Sequence, residues 1–157
     1  VNAPVPAQTS RAPPGPHACQ ISVFLEARCE RVLALVRLFE SGGIHILGIS
    51  LVDATDSCMA RLVVDDPDEA ARMLAAACVP FTRARLLVVE LADVAAGVSG
   101  VFAALLSAEV NAHYSYPLLC RPNGRPLLAL CVEDNDMAEE ALRRQGIPVL
   151  RQADLAR

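Results

Sequence analysis

Val64-Asp65-Asp66-Pro67-Asp68-Glu69-Ala70-Ala71-Arg72-Met73-Leu74 closes an apolar run and opens a helix. Asp66 suits the cap position, Pro67 the first helical position, and Glu69 completes a capping box. The inward stripe that follows is Ala70, Met73, Leu74 and Ala77. The same sentence is written again 68 positions later, where Val132, Asp134, Asp136, Ala138 and Leu142 answer Val64, Asp66, Asp68, Ala70 and Leu74. Val79-Pro80-Phe81 is likewise answered by Ile147-Pro148-Val149. A match that persists through a turn, a helix and the next strand marks an internal repeat.

Working outward, Ile21, Val23 and Leu25 alternate with Ser22, Phe24 and Glu26, the period of a strand with one buried face. Val32, Leu35, Val36 and Phe39 then form a helical stripe that Gly42-Gly43 terminates. Ile44–Asp53 and Cys58–Asp65 read as two strands, and a short strand follows the second helix around Phe81–Arg85. Leu87, Val89 and Leu91 restart the alternation. Val98, Val101, Phe102 and Leu105 repeat the first helical stripe 66 positions on. The hairpin Cys120–Arg125, with its Asn123-Gly124 turn, absorbs the extra residues of the second copy. The expected fold class is α/β (α+β): two ferredoxin-like βαββαβ units, each a four-stranded antiparallel sheet with two helices on one face. The expected organisation is a Pro-rich flexible leader or processing remnant over 1–19, units over 20–85 and 86–152, and a tail over 153–157.

Composition narrows the partners. The 157 residues are 54% hydrophobic and only 4% aromatic, with a net charge of -4 and no basic run. Nucleic-acid binding needs a basic stripe and is not expected. No apolar stretch reaches the length of a membrane span. The uncovered sheet faces, carrying Phe24 and the doubly apolar strand Leu127–Val132, favour packing on another domain or subunit, so a homodimer or larger homo-oligomer is expected. The six cysteines form no Cys-x-x-Cys pair and read as reduced thiols of a cytoplasmic protein. Cys29, ahead of a helix, is the one thiol in a setting that favours the thiolate, yet no His or carboxylate spacing beside it makes a strong catalytic case.

The sequence offers no persuasive catalytic set. Asp53, Asp56, Asp65, Asp66 and Asp68 follow two turns and a helix start rather than an EF-hand spacing. No zinc-protease helix, phosphate-binding glycine-lysine loop or nucleophile elbow is present. Ser99 has no His/Asp partnership. No metal and no cofactor is implied.

Over 20–152 the duplicated pattern resembles the ACT family of small regulatory, amino-acid-binding domains. The likeness rests on Val32–Ile46, Ser50–Asp56 and Asp65–Ala70, and on Val110–Tyr116, which is similar to short stand-alone tandem ACT proteins. The resemblance implies a non-catalytic sensing or regulatory protein whose effector is an amino acid. It also implies a metabolic enzyme as a candidate partner. In the family, effectors bind where the first strand meets the first helix and where units pair, which here means Ala27–Val32 with Gly43–Ile46 and Asp93–Val98 with Glu109–Asn111. Two departures matter. The family's Pro-Gly before the helix is Cys29-Glu30 in unit one and Ala95-Ala96 ahead of Gly97 in unit two. The Asn at the start of the second strand is His45 in unit one and Asn111 in unit two. Unit two is therefore the expected binding unit.

The candidate contacts are Asn111 first, then Asp93, Gly97 and Val98 at the strand-to-helix turn, Tyr114 and Tyr116 on one strand face, and His45 and Arg28 in unit one. For each there is a structural reading: capping or backbone satisfaction for Asn111, a structural polar residue for His45, solvated charge for Asp93 and Arg28, and sheet packing for the two tyrosines. The alternative functions are an interaction module that has lost effector binding, or the regulatory subunit of a biosynthetic enzyme; a small enzyme on the same fold is a weaker third reading.

Overall fold

In the computed structural model, which describes residues 15–26, 29–54 and 57–156, the repeat is realised element by element. Unit one comprises β1 (Ala18–Glu26), α1 (Cys29–Ser41), β2 (Ile46–Ala54), β3 (Ser57–Val64), α2 (Pro67–Ala76) and the first half of β4 (Phe81–Glu90). Unit two uses the second half of β4, then α3 (Val94–Ser107), β5 (Ala112–Pro117), β6 (Leu127–Val132), α4 (Asn135–Arg144) and β7 (Val149–Leu150). A last turn of helix, α5 (Gln152–Leu155), closes the described chain.

Both units are ferredoxin-like, and they share one seven-stranded antiparallel sheet ordered β2-β3-β1-β4-β6-β5, with β7 also paired to β4. The short strand expected over 81–85 and the alternation restarting at Leu87 are one strand. No glycine, proline or turn residue separates Arg85 from Leu87, so the extended backbone continues. Its Phe81–Leu86 half pairs with β1, and its later half pairs with β6 and β7. The expected unit boundary at 85/86 falls inside β4.

The helix ends explain why the repeat survives in sequence. At the C-termini of α1 to α4 the backbone closes in a Schellman pattern: Gly43 N–H reaches Glu40 O and Ile44 N–H reaches Phe39 O, and the same pair of bonds recurs at Cys78/Val79, Glu109/Val110 and Gly146/Ile147. The residue after each αL position is a β-branched aliphatic that leads into the next strand or turn. Gly43 and Gly146 adopt the required positive φ (71° and 70°), and so do the non-glycines Cys78 (55°) and Glu109 (54°). Helix starts follow the sequence too: Asp66 accepts from Glu69 N–H, Asp93 from Ala95 N–H, and Asp134 from Asp136 and Met137 N–H.

Three apolar layers result. Ile21, Val23, Leu35, Phe39, Leu62 and Leu74 pack the helices of unit one on its sheet, and Leu87, Val89, Val101, Leu105, Leu130 and Leu142 do so in unit two. The third layer lies on the opposite sheet face and joins the units: Ala18, Val63 and Leu86 meet Tyr116, Leu118, Leu127, Ala129 and Leu155. The sheet folds back on itself until its outer strands touch, with Leu119 N–H donating to Leu47 O at 2.7 Å. Gly48 permits this approach, since a Cβ there would stand 2.3 Å from Leu118 Cδ2. The doubly apolar β6 thus finds its second partner within the chain, whereas Phe24, at the far end of the unit-one face, remains exposed.

Both expected end segments need correction. Ala18 and Cys19 belong to β1 rather than to a leader, and Ala18 is fully buried. The 153–157 tail is held over its described part: Leu155 is buried in the inter-unit layer and Asp154 Oδ2 accepts from Arg151 N–H at 2.8 Å, while Gln152, just before it, donates from Nε2 to Val64 O at 2.8 Å and accepts at Oε1 from Cys19 N–H at 2.9 Å.

Candidate functional site

The β4–α3 turn and the α4–β7 turn converge on a cleft of about 350 Å³ at the N-terminal end of α3. Leu91, Asp93, Gly97, Gly100, Gly146 and Pro148 are among its walls. The rim is held by backbone bonds, Glu90 N–H to Pro148 O and Leu91 N–H to Pro126 O, both 3.0 Å. Small residues create the space. Gly97 presses on β4, where an added Cβ would lie 3.1 Å from Leu91 Cβ, whereas a Cβ on Gly100 would meet only Ile147 Cδ1 at 4.0 Å. A glycine in a helix interior costs about 1 kcal/mol against alanine, so Gly100 gives up stability to keep the cleft open.

Polar groups are few and specific. Glu90 gives the cleft its backbone, while its buried side chain alternates with Leu91 to the other sheet face, where Asn123 Nδ2 donates to Oε2 at 2.7 Å and Arg125 Nη1 to Oε1 at 3.4 Å. Asp93 sits on the rim with its carboxylate turned to the first turn of α3, accepting from Ala95 N–H at 2.9 Å. The arrangement combines apolar walls, one rim carboxylate and a helix N-terminus, the mixture that holds a small zwitterion.

The corresponding place in unit one is smaller and differently lined, about 280 Å³ among Leu25, Arg31, Ala34, Leu38 and Val79. Arg31 stands where unit two has Gly97, and Ala34 where it has Gly100.

Of the residues expected from sequence, Asp93 and Gly97 line the unit-two cleft. Val98 lies on the outer surface of α3, and Arg28 lies outside the described residues. Asn111 does not line the cleft of its own chain; its Nδ2 donates to Glu133 Oε2 at 3.1 Å. His45 makes the equivalent pair in unit one, its Nδ1 2.7 Å from Asp65 Oδ2 and its N–H 2.9 Å from Asp65 Oδ1. Burial pushes the Asp65 carboxyl up, but hydrogen bonds from the His45 side chain, His45 N–H and Asp66 N–H outweigh it and hold the group below its ordinary value.

Tyr114 and Tyr116 share a strand face as expected, but that face looks into the inter-unit layer. Tyr116 donates to Gln20 Oε1 at 2.7 Å, and Gln20 Nε2 donates to the Tyr114 hydroxyl at 2.8 Å and to Ser22 Oγ at 2.9 Å. The Arg61 guanidinium lies over the Tyr114 ring, 3.6 Å from its centroid. Burial pushes the Tyr116 hydroxyl well above the usual phenol range. Sequence reasoning missed Glu90, Gly100 and Gly146. Gly100 carried a signal, a glycine inside a helical stripe, and so did Glu90, the single charge ending an apolar strand. Among the described residues, no group of three or more His, Cys, Asp or Glu is placed to hold a metal ion. No helix among them is long and apolar enough to cross a membrane.

Duplicated βαββαβ units with a cleft at the strand-to-helix turn define a tandem ACT architecture. The family model for the ACT domain pair matches residues 17–157, and the chain belongs to that family. A crystal structure from Bacteroides thetaiotaomicron is similar at a TM-score of 0.81 and 21% identity, covering 89% of this chain and 96% of that one. The ligand-free regulatory subunit of aspartate kinase from Thermus thermophilus is similar at a TM-score of 0.60 and 16% identity, covering 83% and 91%. The Thermus flavus subunit is similar at 0.55 and 15%, covering 83% and 93%. These likenesses describe the fold. No curated protein matches the sequence.

Proposed function

We propose that this protein is a non-catalytic sensor whose unit two binds a free amino acid in the cleft between the β4–α3 and α4–β7 turns. The observation that carries the reading is Gly100, which keeps a cavity open beside the first turns of α3 at a cost to its own helix. The effector's ammonium would approach the rim carboxylate of Asp93 and its own carboxylate the first turn of α3. The larger volume and glycine lining support unit two over unit one. In this reading the sensor is cytoplasmic, assembles as a homo-oligomer and controls an amino-acid biosynthetic enzyme. The aspartate kinase regulatory subunits of the same fold support that last role.

The test is calorimetric titration of the folded chain with the common amino acids, beside a Gly100→Leu variant. Leucine at 100 fills the cleft with a better helix former, so the variant should lose saturable binding while unfolding no earlier than the parent. Asn111 lies outside the cleft of its own chain, so Asn111→Ala would weaken binding by about 1–3 kcal/mol, more than His45→Ala, only where a neighbouring copy completes the site. No saturable binding by the parent across the series would refute the reading. It would favour an interaction module, which the departures Cys29-Glu30 and Ala95-Ala96 already suggest.

A further inference from the structure

α3 is charge-free from Val94 to Ala108, and one side of it is apolar and open to solvent. Val94, Val98, Phe102 and Leu106 recur every four residues and form a single ridge, exposed by 66%, 37%, 41% and 79%. Beside the ridge runs a parallel row of small exposed residues, Ala95, Ser99, Ala103 and Ser107. A row of large side chains next to a row of small ones is self-complementary, because the ridge of one helix fits the groove of an identical one. Ridges of this four-residue spacing interdigitate when two helices cross at about 50°.

The repeat supplies an internal control. At the same positions in α1, Leu33 and Arg37 fill the groove where α3 has Ser99 and Ala103, and Glu40 breaks the ridge where α3 has Leu106. The two helices hold equivalent places in their units, so the fold does not demand the uncharged face. Neither does the unit-two core, which takes Val101, Ala104 and Leu105 from the other side of the helix.

We propose that this face of α3 joins two copies of the chain about a two-fold axis near Val98 and Phe102, each ridge seated in the other's groove. This deepens the oligomeric part of the proposed function and does not depend on effector binding. The ridge is about 18 Å long at the rise of an α-helix. With its flanking row it presents on the order of 500 Å² per copy, so that a pair buries about 1,000 Å² and reaches the lower limit for a specific interface. A partner bearing charge would leave that charge unpaired against the bare helix, whereas a second copy brings none.

The experiment is sedimentation velocity from micromolar to roughly hundred-micromolar protein, a range set by an interface of that size. It compares the parent with Phe102→Glu, which places a charge on the ridge, and Ser99→Leu, which fills the groove with a good helix former. Leu33→Glu on α1 is the control. The parent and Leu33→Glu should dimerise alike, and Phe102→Glu and Ser99→Leu should each weaken association by at least roughly thirty-fold, as central interface residues do. Since all three side chains face solvent in the single chain, thermal unfolding at low concentration should stay near that of the parent. A parent that remains monomeric throughout, or a dimer indifferent to both variants, overturns the proposal. Amino-acid titration of the same samples is scored separately: a dimer that binds no amino acid refutes the sensor and leaves the interface standing.

Discussion

Glu109→Gly should make the protein more stable although it removes a side chain. Glu109 is held at φ 54° by the Schellman closure of α3, and Cys78 at 55° by that of α2. An L-residue in this region costs about 1–2 kcal/mol. Glycine returns about 0.5–1 kcal/mol of that through its freer unfolded chain. The net gain for Glu109→Gly is therefore about 0.5–1 kcal/mol, or a rise in Tm of roughly 2 °C for a chain of this size. Cys78→Gly should gain a similar amount, and the two changes should add, because they sit at different helix ends. Gly43 and Gly146 occupy the same positions of the other two closures, and an added Cβ at either meets nothing within 4 Å. Gly43→Ala and Gly146→Ala should thus lose stability for conformational reasons alone, by about the amount the reverse changes gain. Urea unfolding with an unchanged m-value is the assay. Glu109→Gly that destabilises, or Gly43→Ala that costs nothing, would refute the argument.

The inter-unit network gives a second outcome. Gln20→Leu strands the buried Tyr116 hydroxyl and Tyr116→Phe strands Gln20 Oε1, each costing about 1–3 kcal/mol, while the double variant should recover part of the loss in urea unfolding. A third outcome concerns acid stability. The folded Asp65 carboxyl lies below its ordinary value of 3.8, so its contribution is full above that pH and is lost as pH falls through the lower folded value. Asp65→Asn should flatten that stretch of the acid unfolding curve, and an identical curve for both proteins would sink the assignment.

What the sequence disclosed and what it concealed divide along a physical line. Helix caps, Schellman glycines and alternating strands are local, and the second copy repeats them, so Asp66 and Asp134 or Gly43 and Glu109 confirm one another. The continuity of β4 was hidden because the end of one alternating run and the start of the next look alike whether the chain turns or goes straight on. The inter-unit layer was hidden for another reason. Its unit-one side is partly built from Gln20, Ser22 and Arg61, polar residues whose period assigns them to solvent, and only Tyr114 and Tyr116 from far along the chain bury them. The cleft depends on single residues with no period. Asp93 and Gly97 were reached through family likeness, whereas Gly100 needed the α4–β7 turn beside it before its role could be read.

β4 gives this molecule no seam. Its ten residues are the last strand of one unit and the first of the other, and Leu86, at the crossing point, is fully buried. A protease or a gene fusion that separated the halves there would leave each with a stump of strand and an open sheet edge, prone to pair with whatever edge it met. Split versions of the protein should therefore be soluble only as reunited pairs. Circular permutants should tolerate new ends at the Asn123-Gly124 hairpin, which leaves β4 whole. The same rod would couple the halves: any displacement of Glu90 would move the strand that β1 pairs with.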